Sequence, residues 1–255
     1  DNLNKRYNLD KPILDWQVWD SQYGIYIWDL LHGDLGVSFR SANQPVTDLI
    51  KDGFAVSSQL GVLAFLFAVV FGMTLGVVSA LNQNGPLDYI GVFFATAGAA
   101  MPNFILATFL IIIFSVELGW FDVLGWGGPP WEKIYDPTAW NFRKVVLPVV
   151  ALGTLPAAYF ARITRASLLD VLSQDYIRTA RAKGLTEYTV ILRHTMKNAM
   201  VPILTVMGPY FAFLVTGSFI VESIFQIPGV GRRFVDAVLV RDYGMIMGTV
   251  LFYAV

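Results

Sequence analysis

Few side chains in this sequence are equipped for chemistry, and their spacing points away from catalysis. Cysteine is absent, which excludes disulfides, thiolate metal ligands and a cysteine nucleophile. The two histidines, His32 and His194, stand in segments of different character, which argues against a histidine metal site. No stretch follows the phosphate-cradling order Gly-x4-Gly-Lys-Ser/Thr, and no His/Asp/Ser set shares one compartment. No catalytic residue and no metal ligand are therefore assigned. What remains is a basic cluster of Arg178, Arg181, Lys183, Arg193 and Lys197, set against Asp175 and Glu187. Such a cluster forms ion pairs and hydrogen bonds, with a partner surface or with lipid head groups. The net charge of −1 gives no support for a nucleic-acid partner.

The elements that must carry this cluster are apolar. Only 15% of the residues are charged, against roughly 25% in an average soluble domain. Asp52 and Asp88 are separated by about 35 uncharged positions, and Asp88 and Glu117 by about 28. About 20 apolar residues suffice for a helix to cross a bilayer. The sequence predicts spans at Ser57 to Leu81, Tyr89 to Val116, Val145 to Leu172 and Val201 to Phe225. A further run from Tyr243 starts a fifth. Backbone groups in lipid must be satisfied within each segment, so these spans are expected to be helices. Core helices of a soluble protein rarely stay uncharged over such lengths, and the alternating segments of a membrane barrel are missing. The chain opens at Asp1 in a polar segment and closes at Val255 in an apolar run, so it reads as a piece of a longer protein.

Loop charge gives the orientation. The loop at 173–199 carries the basic cluster and is assigned to the cytoplasm. Residues 1–53, 119–144 and 227–242 then face the exterior, and 54–255 form the transmembrane part. Trp16, Trp19, Tyr23, Tyr26 and Trp28 in the first outer segment, with Trp120, Trp126, Trp131 and Trp140 in the second, fit an interface belt. A small aromatic core or contacts with an external partner would use the same residues. Gly72 and Gly76 form a small-xxx-small pair suited to close helix packing. Pro102, Pro148, Pro156 and Pro209 can kink their helices. Glu222 is the one acid near the end of a span, placed either to reach water or to line a gate, with Pro209 and Pro102 as further pore or gate candidates. Arg162 and Arg165 are expected to snorkel to the inner surface.

The loop itself reads as two short helices around a glycine. Ile177, Ala180 and Gly184 share one face, Gly184 takes the left-handed position that ends the first helix, and Leu185 follows it. Thr186 is the next N-cap, with Glu187 after it. Leu185 and Val190 are spaced for a hydrophobic staple, and Arg193, His194 and Lys197 lie near the other end.

The run Arg178-Thr179-Ala180-Arg181-Ala182-Lys183-Gly184, followed by His194, Asn198-Ala199 and Pro202, resembles the cytoplasmic signature loop of ABC importer permeases. Within that family it is most similar to the dipeptide and oligopeptide (peptide/nickel) subfamily. Tyr7 to Pro12, Gly33 to Ser38 and Pro45 to Ile50 resemble that subfamily's outer segment. Gly217-Ser218, Val221-Glu222, Ile227 to Gly231 and Arg241-Asp242-Tyr243 resemble the end of its fifth span and the following loop. One departure is the stretch Met196-Lys197-Asn198, where the general signature has a proline; here Pro202 comes later.

The resemblance implies an all-α polytopic permease of the cytoplasmic (inner) membrane with six transmembrane helices, four complete and one partial in this chain. It implies a peptide-transport subunit that is not itself an enzyme. Nickel, glutathione or another small solute is the alternative cargo, and an ATP-independent secondary transporter the alternative class. The implied partners are a second homologous permease, two cytoplasmic ATPase subunits, an extracytoplasmic substrate-binding protein and membrane lipid. ATP and magnesium would sit on the ATPases, leaving no cofactor in this chain. Arg178, Thr179, Ala180, Arg181, Ala182, Lys183, Gly184, Leu185, His194 and Asn198 would form the ATPase-coupling loop.

Overall fold

The structure is a computed structural model that describes residues 11–14, 20–41, 44–130, 133–134 and 136–254. Tyr7 to Asp10, Trp16, Trp19 and Trp131 lie outside the described residues. Among those described, β-structure is limited to one antiparallel bridge between Val37 and Pro45. The helices are α1 (Gln22–Leu31), α2 (Val46–Leu81), α3 (Pro86–Ala100), α4 (Asn103–Leu110), α5 (Phe142–Leu172), α6 (Asp175–Ala182), α7 (Glu187–Thr189), α8 (Met196–Thr216), α9 (Phe219–Ile224), α10 (Val230–Val240) and α11 (Tyr243–Ala254). α4 runs on as wider π-helical turns over Ile111–Glu117, and Val190–Thr195 join α7 to α8 in the same way.

Among the described residues three segments are long and apolar enough to cross a membrane: Val46–Leu81, Phe142–Leu172 and Glu187–Ile224. A fourth exists if Pro86–Ala100 and Asn103–Glu117 count as one span. α2 starts at Val46, inside the stretch read as exterior, and not at Ser57. Its 36 residues reach roughly 54 Å, so its first turns stand clear of a hydrocarbon layer of about 30 Å.

Two predicted spans are interrupted. The second bends by 107° at Met101 and Pro102. Proline has no N–H for the helical ladder and drives the residue before it out of the α region, and Met101 is extended (φ −88°, ψ 122°). The other span breaks at Gly217, whose φ of +113° and ψ of 162° only glycine adopts without strain. Pro148, Pro156, Pro202 and Pro209, by contrast, sit inside unbroken helices. The 227–242 segment, expected as a loop, contains α10.

The centre is the packing of α2 on α5. A methyl group at Gly72 would lie 2.5 Å from the Ala157 carbonyl oxygen, and one at Gly76 would lie 2.6 Å from that of Ala161. Ala64 and Ala68 continue the small-residue stripe and are fully buried. Close backbone approach of this kind is how helices associate where lipid competes for every apolar contact. α8 joins the pair, with Gly61 against the Leu214 carbonyl. Tyr89, Phe93, Phe94 and Phe109 on α3 and α4 stay exposed, forming an apolar face suited to lipid or to another helix.

Candidate functional site

The basic loop follows the end of α5 and packs back onto the bundle. Ile177 and Ala180 of α6 are buried with Ala80 of α2, Leu168 and Val171 of α5, Val190 and Ala199. α6 also carries Arg178, with its side chain 75% exposed, and Arg181, 43% exposed at the edge of the buried face. After α6 the chain turns through Lys183 and Gly184, which has φ +78°. The Gly184 N–H donates to the Arg181 carbonyl (2.9 Å) and the Leu185 N–H to that of Ala180 (3.4 Å). These two bonds form a Schellman closure, which satisfies carbonyls that a helix end would otherwise strand. The Thr186 hydroxyl then accepts from the Thr189 N–H at 3.4 Å and caps α7. Arg181 reaches across the turn to Glu187 (2.8 and 3.3 Å), clamping the two helices together.

The structure thus brings Arg178, Thr179, Ala180, Arg181, Ala182, Lys183, Gly184 and Leu185 onto one helix and its cap. Asn198 joins them by donating to the Tyr176 hydroxyl (2.8 Å) and to the His194 carbonyl (3.2 Å). His194 itself enters through its backbone. The second helix does not end near Lys197: α7, the π turns and α8 are continuous from Glu187 to Thr216, so Arg193, His194 and Lys197 lie within a helical run. Four exposed apolar side chains lie among the basic ones: Tyr176, Leu185, Tyr188 (74% exposed) and Leu192. Tyr176, Tyr188 and Leu192 escaped the sequence reading, although large apolar residues in a charged loop are themselves a signal. A rigid, basic surface studded with exposed aromatics suits protein docking better than chemistry on a small molecule.

Beside this loop lies an ion pair that corrects an expectation. Arg165 does not snorkel to the surface. It turns inward and holds Asp88 of α3 by two parallel bonds, Nε to Oδ1 and Nη2 to Oδ2, each 2.7 Å. Asp88 also accepts from the Ser79 hydroxyl and from the Asn84 N–H (2.9 Å), and its side chain is 4% exposed. Arg162 stays exposed, with its guanidinium 5.9 Å from the centre of the Tyr159 ring.

Glu222 sits at the opposite end of the bundle. It is fully buried, so it neither reaches water nor borders an open surface of the chain. Its Oε1 accepts from the Ser57 hydroxyl (2.8 Å) and the Ser218 N–H (3.0 Å), and Oε2 accepts from the Arg232 N–H (3.1 Å). Ser57 also accepts from the Val230 N–H (2.9 Å). One carboxylate therefore ties the Gly217 break to the start of α10 and to α2. The Arg232 guanidinium points elsewhere, to the Gln226 carbonyl (2.8 Å) and Asp236 (3.6 Å). Pro209 lies within α8, apart from this knot, and Pro102 marks the bend between α3 and α4.

A second buried acid, Asp242, accepts from the Ser38 hydroxyl and from the N–H groups of Phe39 (3.1 Å) and Met245 (3.2 Å). It joins the Gly33–Ser38 stretch to the Arg241–Tyr243 stretch. Trp126 donates to Gln59 at 3.0 Å and Gln59 to the Pro129 carbonyl at 2.9 Å, fastening the 119–144 segment to α2. Among the described residues no three His, Asp or Glu side chains converge to hold a metal ion.

Residues 72–255 match the family described as binding-protein-dependent transport system inner membrane component. The dipeptide transport system permease protein DppB of Bacillus subtilis is 42% identical over 100% of this chain and 76% of its own length. The oligopeptide transport system permease protein OppB of Haemophilus influenzae is 40% identical over 100% of this chain and 80% of its own. The Escherichia coli K12 OppB is 40% identical over 96% and 75%. Among solved structures, an amino acid ABC transporter superposes with a TM-score of 0.60 at 19% identity, covering 81% of this chain and 86% of that one. The MetNI methionine ABC transporter in an inward-facing conformation gives 0.62 at 17% identity, covering 80% and 88%. At these identities the two structures speak for the fold.

Proposed function

This chain belongs to the family of binding-protein-dependent transport system inner membrane components, and on that premise we propose that it is a permease subunit of an ATP-driven peptide importer in the inner membrane. The peptide cargo is carried over from relatives 40–42% identical across nearly the whole chain, whose names specify dipeptide or oligopeptide transport. Energy comes from partner subunits: two ATPases on the cytoplasmic side hold ATP and magnesium, and a second permease completes the passage. A binding protein delivers peptide to the opposite face. The ATPases grip α6 and its Gly184 cap, and their closure and opening move the helices behind the loop as rigid bodies.

The observation that carries this reading is the construction of the loop. α6 is anchored by buried Ile177 and Ala180, closed by Gly184 and clamped by Arg181 to Glu187, yet Arg178 and Tyr176 on it stay exposed. A protrusion this well ordered can transmit a push; a flexible tail cannot.

The test uses two glycines in matched conformations. Gly184 (φ +78°) and Gly119 (φ +63°) both have open space where a Cβ would stand. A side chain at either costs about 1–2 kcal/mol of backbone strain, and its Cβ meets no described atom within 4 Å. Gly184→Leu is expected to insert and assemble but to lose peptide transport and peptide-stimulated ATP hydrolysis in the reconstituted importer. Gly119→Leu, carrying the same strain away from the loop, should retain both. Transport at the parent rate by Gly184→Leu would remove the coupling role from the loop.

A further inference from the structure

The last turns of α2 and α5 hold two things at once. On α2, Ala80 shares a buried cluster with Ile177 and Ala180 of the docking helix, and its neighbour Ser79 donates its hydroxyl to Asp88. On α5, Leu168 belongs to the same docking cluster, and Arg165, one turn earlier, grips Asp88. The helix ends that seat the docking loop are therefore also the ends to which the start of α3 is fastened.

α3 also packs along α5 and α2, with Gly91, Ala95 and Gly98 buried. Its contact side is made of small residues: a methyl group at Gly91 would lie 3.2 Å from the Ser79 Cβ, and one at Gly98 would lie 3.1 Å from the Thr154 Cγ2. Tyr89, Phe93 and Phe94 face outward. Packing of this kind holds the helices close but brings no charged or hydrogen-bonding group across the contact. The guanidinium fork fixes both position and angle, since two parallel bonds tolerate neither translation nor rotation of the carboxylate. Asp88 also accepts from the Asn84 N–H (2.9 Å), so the turn between α2 and α3 is held by the same carboxylate. Beyond α3 comes the 107° bend at Met101 and Pro102.

We propose that Arg165 is a positioning residue for transport: through Asp88 it makes α3 follow the docking helix, so that a displacement at α6 reaches the Pro102 bend instead of stopping at the ends of α2 and α5. The inference rests on the reading of the loop as the ATPase dock. It assigns Asp88, Ser79 and Arg165 to coupling, apart from the loop that meets the ATPase and apart from any contact with peptide.

The experiment measures peptide moved per ATP hydrolysed by the complete importer in lipid vesicles, for each assembled complex. Arg165→Met and Asp88→Asn are expected to lower that ratio about tenfold, with ATP hydrolysis within about twofold of the parent. Arg165→Lys keeps the charge without the fork and should give an intermediate ratio. A purely structural role would lower the number of assembled complexes and leave the ratio alone. An unchanged ratio in Arg165→Met therefore overturns the proposal, and Asp88→Asn supplies the same reading if Arg165→Met does not assemble. Gly184→Leu run in parallel separates the two ideas. If it behaves as the parent, the docking reading has failed; if it loses hydrolysis while Arg165→Met keeps the parent ratio, only the link through Asp88 has failed.

Discussion

The two ends of the bundle bury carboxylates in different ways. At the basic end, Asp88 is held by a guanidinium, a hydroxyl and one backbone N–H. At the opposite end, Glu222 is held by a hydroxyl and backbone N–H groups, and Asp242 likewise, with no cation among their hydrogen-bond donors. The first arrangement joins three helices through side chains, so it depends on two residues 77 positions apart remaining matched. The second uses the unpaired N–H groups at the starts of α9, α10 and α11, which any sequence would supply there. A side-chain pair is the more fragile device, because deleting either member strands the other.

Stability measurements can break that contrast. Asp88→Ala leaves the Arg165 guanidinium, 28% exposed, without its counter-charge. Stranding one member of a largely buried pair costs about 3–5 kcal/mol, so this variant should show the largest loss in thermal unfolding in detergent. Glu222→Gln keeps the shape but turns an acceptor oxygen into a donor facing the Arg232 or Ser218 N–H. The expected loss is about 1–3 kcal/mol, the range for a buried donor left unsatisfied. Equal losses in the two variants would mean that burial alone, and not the presence of a cation, sets the cost. The contrast sharpens at the surface. Asp175 and Arg178 also form a pair, but at 3.7 Å with side chains 96% and 75% exposed. Water screens such a pair, and Arg178→Gln should leave the unfolding temperature indistinguishable from the parent.

Much of this architecture was legible in the sequence, for a physical reason. Uncharged runs as long as those between Asp52 and Asp88 and between Asp88 and Glu117 have few alternatives to membrane helices, and the Gly72–Gly76 spacing fits the packing observed against Ala157 and Ala161. The cap at Gly184 was legible too, since a left-handed glycine and a Thr186 N-cap are encoded within a few residues. What escaped depends on tertiary context. Nothing near Arg165 in sequence indicates Asp88, so a basic residue at a span end was read as reaching for the surface. The Gly217 break lies in an apolar stretch that reads as continuous helix, and only its φ reveals it. α10 follows Pro228 and Gly229, which signal a turn and masked the apolar spacing of Val230, Phe234 and Ala237 behind them. Charge at Arg193 and His194 suggested a helix end where wider turns carry the helix onward.

Those wider turns between Val190 and Thr195 have a geometric consequence. The Thr195 hydroxyl donates to the Val190 carbonyl (3.1 Å) five residues back, in step with the π spacing. Each residue of an ordinary α-helix advances the chain by about 100° around its axis, and a π turn absorbs an extra residue within one revolution. The segment therefore acts as a phase adjuster between the docking loop and the span that follows it. Rewinding 190–195 as an ordinary α-helix with no residue removed would swing the loop by up to about 100° around the span, even though every side chain of the loop remained. The azimuth of the docking loop is thus written in the winding of a stretch that need touch no partner.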